Sequence, residues 1–125
     1  FSFFDTGDRP SDRTEPERFY HGFVLGLMAE KRESHILRSN RQSGFGRYDV
    51  MMEPKNLDDK AVIIEFKVIS ERAGEKSLAD TAQNALKQIE RKKYETELIS
   101  RGIPKENIYK YAFAFKGQEC LIVKG

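Results

Sequence analysis

Only one cysteine, Cys120, occurs in the 125 residues. This excludes an intrachain disulfide and a cysteine-built zinc site, and a reducing, cytoplasmic setting fits best. Histidine is nearly as scarce, with 2 residues, His21 and His35, so a histidine-rich metal centre is also excluded. No apolar run approaches the roughly 20 residues that cross a bilayer, and no signal peptide is visible, so no membrane partner is expected. Neither sign of charge dominates: 22 basic and 20 acidic residues leave +2. A balance that close says nothing about a polyanionic partner, because what matters is how basic groups are distributed over the surface. The chain begins with Phe1 rather than Met. It is therefore expected to be a fragment of a longer protein, from which a targeting signal would have been trimmed.

What remains is enough for one soluble domain with a single core, 38% hydrophobic and 34% charged. Residues 1–14 carry Phe1, Phe3 and Phe4 among turn formers and read as a lead-in that packs on the domain or on a neighbour. Residues 15–125 read as the domain. Thr14, Pro16 and the acidic Glu15 and Glu17 predict a helix start, and the helix runs to about Lys31. Phe19, Phe23, Val24 and Leu27 form its apolar stripe, and Gly22 and Gly26 would admit a close neighbour. Strands are expected at His35–Asn40, Tyr48–Glu53 and Ala61–Val68, the last apolar enough to be central. After a loop over Ser70–Lys76, Ser77 caps one long helix from Leu78 to about Arg101, ended by Gly102. Two more strands, Ile108–Phe115 and Glu119–Val123, flank a hairpin turn. In the first of these, Tyr109, Tyr111, Phe113 and Phe115 form a core-facing stripe, and Cys120 reads as a small buried apolar residue. The order α-β-β-β-α-β-β predicts an antiparallel meander, a helical crossover and a mixed α/β sheet with helices packed on it.

The chemistry gathers in Gly46–Val68. Strand alternation puts Glu65 and Lys67 on one face, with Phe66 opposite. Charged groups inside the run VIIEFKVI are costly unless paired or metal-bound, and Asp49 likewise interrupts YDVMM. Asp49 and Glu65 on neighbouring strands would hold a hard divalent ion, Mg2+ or Mn2+, and Lys67 would orient water or steady charge on a phosphate. These parts suffice to hydrolyse a phosphodiester. The competing reading is a simple ion pair on a strand.

The stretches FYHGFVLGL (19–27), SNRQSGFGRYDVMMEP (39–54), IIEFKV (63–68), ALKQIERKKY (85–94) and YKYAFAFKG (109–117) resemble a bacterial family of the PD-(D/E)xK nuclease superfamily. Its domain usually lies C-terminal to an AAA-ATPase-like domain. The resemblance implies a restriction-endonuclease-like α-β-β-β-α-β core, a Mg-dependent nuclease acting on DNA, and an ATPase domain in the same polypeptide. A homodimer would decide between nicking and double-strand cutting. By the same resemblance Asp49 is the metal-binding aspartate, Glu65 the second carboxylate and Lys67 the catalytic lysine, although Tyr48 stands where the superfamily name has Pro. Glu17 on the first helix is the candidate for a further acidic site residue, His21 one turn later could reach the site as well, and Gln88 corresponds to a glutamine of some branches. The tyrosine those branches place four residues later is Lys92 here, and the nearest tyrosine is Tyr94. Arg41, Ser43, Arg47 and Lys92 are candidates for the nucleic-acid backbone, with Lys87, Arg91 and Lys93 extending that surface. An inactive nuclease-fold module that binds nucleic acid or the ATPase is the alternative.

Overall fold

A computed structural model describes the backbone of residues 14–42 and 47–125 and the side chains of 17–40 and 47–125. Phe1, Phe3, Phe4, Ser43 and the side chain of Arg41 lie outside these described residues. The strands are β1 (His35–Gln42), β2 (Arg47–Pro54), β3 (Ala61–Val68), β4 (Ile108–Lys116) and β5 (Glu119–Lys124). They form one sheet in sequential order. β1, β2 and β3 pair antiparallel, β3 and β4 pair parallel, and β5 returns antiparallel on β4. A parallel step needs a crossover; here helices α2 (Leu78–Arg91) and α3 (Tyr94–Ser100) supply it.

Apart from Glu65 and Lys67, the central strand β3 is apolar because both of its faces are covered. Val62, Ile64, Phe66 and Val68 meet helix α1 (Thr14–Lys31), whose Phe19, Tyr20, Phe23, Val24 and Leu27 share one core with Tyr48, Phe113 and Phe115. Phe66 is the hub, with ring centroids 4.9 Å from Phe113, 5.3 Å from Tyr20 and 5.6 Å from Phe23. Pairs at that spacing contribute beyond area burial. On the other face, Ala61 and Ile63 pack with Met51, Ile89, Leu98 and Ile103. There the alternation in β4 has a second purpose. While Phe113 and Phe115 fill the α1 side, Ala112 and Ala114 meet Ala82 and Ala85 of α2. Alanine against alanine lets the helix approach closely beside Glu65 and Lys67, whose β4 partners are Ala112 and Ala114.

The expected single helix from Leu78 to Arg101 is broken. α2 stops at Arg91, Lys93 takes a left-handed φ of 58°, and α3 begins at Tyr94. Lysine carries no local preference for that conformation, so the break follows from tertiary contacts of its neighbours. The close approach expected at Gly22 and Gly26 is also corrected: among the described residues nothing lies within 4 Å of a Cβ at either position. The 70–76 loop contains a short turn, Glu71–Ala73, capped by Ser70 and ended by Gly74 at φ 83°. Only glycine enters that region at no steric cost.

Candidate active site

Asp49 and Glu65 are direct partners across the β2–β3 pair, so their side chains rise from the same face a few ångströms apart. Both are buried, Asp49 at 4% and Glu65 at 0% exposure. Cations surround them incompletely. Lys92 Nζ lies 2.5 Å from Asp49 Oδ2 and 3.7 Å from Glu65 Oε1. Arg47 Nε lies 3.7 Å from Glu65 Oε2. Neither 3.7 Å approach is a hydrogen bond, and both Glu65 oxygens and Arg47 Nε are buried without a hydrogen-bond partner. A buried carboxylate left with four unused lone pairs is costly. Burial accordingly pushes the Glu65 carboxyl up to about 7, with Lys92 opposing, Asp49 adding to the rise and Arg47 opposing. Tyr94 closes the side toward α3. Burial raises its hydroxyl well above the ordinary value, and the charge of Asp49 and a hydrogen bond to it raise it further.

Lys67 shares this face, but its ammonium is held by Glu75 rather than by Asp49 or Glu65. It donates to Glu75 Oε2 at 2.7 Å. Glu75 also accepts from Asn84 Nδ2 at 2.7 Å, from the Ser70 N–H at 2.7 Å and from Thr81 Oγ1 at 3.0 Å. With every oxygen satisfied, Glu75 is a fixed anchor that sets where Lys67 points.

The structure therefore brings Asp49, Glu65, Lys67 and Arg47 onto one face and adds Lys92 at its centre. Lys92 is placed otherwise than expected: its ammonium turns inward onto Asp49 instead of outward from a basic helix surface. Gln88 sits half-buried one turn earlier on α2, its carbonyl accepting the Lys92 N–H at 3.1 Å. Glu17 and His21 are not brought to this face. They lie on α1, which covers the aromatic side of the sheet, with His21 Nε2 3.9 Å from Glu17 Oε2. What α1 offers the site is backbone support, through a long Tyr20 hydroxyl contact of 3.5 Å to the Asp49 carbonyl. Glu75, Thr81 and Asn84 were missed by sequence reasoning. Their available signal was a threonine and an asparagine three apart on the inward face of an otherwise alanine-rich helix.

A family model described as the PD-(D/E)XK nuclease superfamily matches residues 15–125. The chain belongs to the PD-(D/E)XK nuclease superfamily. The match covers every described strand and nearly all of the described helices, and the five-stranded mixed sheet with flanking helices is its restriction-endonuclease-like fold. No curated protein and no solved structure gives a significant match. The two carboxylates that could hold a metal ion in this geometry are Asp49 and Glu65. Among the described residues no group of three or more acidic, histidine or cysteine side chains is assembled to hold an ion. Two carboxylates suit magnesium, which keeps several waters and is commonly held by one or two carboxylates plus substrate phosphate. The unpartnered Glu65 oxygens fit the same ion.

Proposed function

We propose that this domain is a divalent-metal-dependent nuclease that hydrolyses DNA phosphodiester bonds at the Asp49–Glu65 pair. The observation that carries the reading is the buried, hydrogen-bond-deficient carboxylate pair on adjacent central strands, within a PD-(D/E)XK domain. Asp49 and Glu65 would hold Mg2+ or Mn2+, and the ion, when bound, supplies Lewis-acid polarisation of the phosphate and a more acidic water. The chain's own residues do the remaining work. Lys67, aimed by Glu75, presents an ammonium on the site face where it steadies charge developing on the phosphate. Arg47, half-buried at the rim of β2, offers a second cation toward the same charge. Fixed cations of this kind act strongly because the surroundings exclude water.

The test is cleavage of plasmid and oligonucleotide DNA by the purified domain. Wild type is expected to cut with Mg2+ and to stop when EDTA removes it. Asp49→Ala and Lys67→Ala should each lower the rate by about 100-fold or more, the scale for removing one preorganised charge. Cleavage that survives both substitutions would overturn the assignment.

A further inference from the structure

The proposed metal-binding pair already holds a cation. Lys92 Nζ touches Asp49 at 2.5 Å and stands 3.7 Å from Glu65, with the lysine side chain only 15% exposed. Resting on the nuclease reading above, we propose that Lys92 is the site's resident counter-cation: its ammonium offsets part of the charge of the Asp49–Glu65 pair in the metal-free protein and leaves when a divalent ion enters.

Three observations converge on this. An ion held by both carboxylates would have to compete with the Lys92 ammonium, which lies 2.5 Å from Asp49 Oδ2 and 3.7 Å from Glu65 Oε1. Two cations cannot sit together there, because like charges at contact distance repel strongly in a site shielded from water. Next, the chain bends to bring Lys92 there. On an unbroken helix residues 92 and 94 would point about 200° apart. The left-handed Lys93 between them ends α2 and lets both Lys92 and Tyr94 reach Asp49. Backbone strain held at such a point marks a site where position matters. Finally, Lys67 is not available for the counter-cation role, since its ammonium is held by Glu75 at 2.7 Å. The two lysines are thus divided: Lys67 is anchored and stays, whereas Lys92 is hydrogen-bonded to Asp49 and stands beside Glu65. Lys92 is a positioning residue that sets how readily the site fills, with the metal concentration needed for activity as the consequence.

The experiment is a calorimetric Mn2+ titration of the metal-free domain at about pH 8.5, where ordinary carboxylates are ionised and protons do not compete. Lys92→Met keeps the aliphatic stem and removes the charge, and is expected to tighten Mn2+ binding by about tenfold or more. Lys92→Arg, which keeps the charge, and Lys105→Met, at an exposed lysine far along the chain, should bind as wild type does. Melting temperature gives a second reading should Lys92→Met fold poorly. Its metal-free form should melt below wild type, and saturating Mn2+ should raise its melting point by more than it raises that of wild type. Wild-type binding matched or exceeded in strength over Lys92→Met overturns the inference and leaves the proposed function standing. No Mn2+ binding by any of these proteins overturns the metal site itself, and the inference with it.

Discussion

Glu65→Gln is expected to make the metal-free protein more stable at about pH 8 while abolishing DNA cleavage. The cause is the fully buried carboxylate, whose value rises from 4.5 to about 7 on folding. A raised folded-state value means that the native protein holds a proton the unfolded chain has released. The stabilising effect of that proton is complete below pH 4.5, shrinks as pH rises through the interval, and is gone above about 7. At about 1.36 kcal/mol per unit, charging Glu65 in place costs on the order of 3 kcal/mol above neutrality. Glutamine has the same shape and no charge to bury, so a gain of about 2–3 kcal/mol is expected at about pH 8 and almost none near pH 4. Urea unfolding of both proteins in EDTA at the two pH values checks this. Destabilisation at both would show that Lys92 and Arg47 make the charged form a net asset.

The second large effect belongs to Glu75, which sequence inspection leaves in a featureless loop. Glu75→Ala is expected to cost about 3 kcal/mol. It strands Lys67 with its side chain 12% exposed and leaves the donors of Ser70, Thr81 and Asn84 without their acceptor. Breaking a buried pair from one side costs roughly 3–5 kcal/mol, and the residual exposure of Lys67 places this one at the lower end. Adding Lys67→Met should recover part of the loss, since the double variant no longer buries an unpaired ammonium. Denaturant melts of the two single variants and the double variant measure the coupling. The pH dependence runs opposite to that of Glu65. Burial pushes the Glu75 carboxyl up, but the hydrogen bonds from Asn84, Lys67, the Ser70 N–H and Thr81 together hold it below 4.5. Its contribution is therefore present above pH 4.5 and is lost as pH falls through the folded-state value.

These two carboxylates show what could be read from the chain and what could not. Glu65 was legible because a charge inside a central strand contradicts its surroundings. Its pairing with Asp49 followed once the first three strands were taken as a meander. Strand positions were recoverable within a few residues, since turn formers separate the runs. The break at Lys93 was not legible. It coincides with a contact distant in sequence, Lys92 donating to Asp49 43 residues earlier in the chain, and no glycine or proline marks the spot. The position of α1 was half legible. Periodicity identified its apolar stripe, but which face of the sheet the stripe would cover is decided by bulk. Phe66, Phe113 and Phe115 demand a helix at aromatic distance, while Ala112 and Ala114 admit the closer α2. That choice keeps Glu17 and His21 off the carboxylate face. Glu75 needed the closed loop to be seen at all, because its four donors come from strand, turn and helix.

The most direct test of the metal-site account is anomalous diffraction from crystals of the wild-type domain soaked in Mn2+. The account predicts one peak within coordinating distance of both Asp49 and Glu65, about 2.0–2.3 Å from their oxygens, with Lys92 Nζ withdrawn from Asp49 and Lys67 still on Glu75. A site without a peak, with Lys92 unmoved on Asp49 at saturating Mn2+, would contradict it.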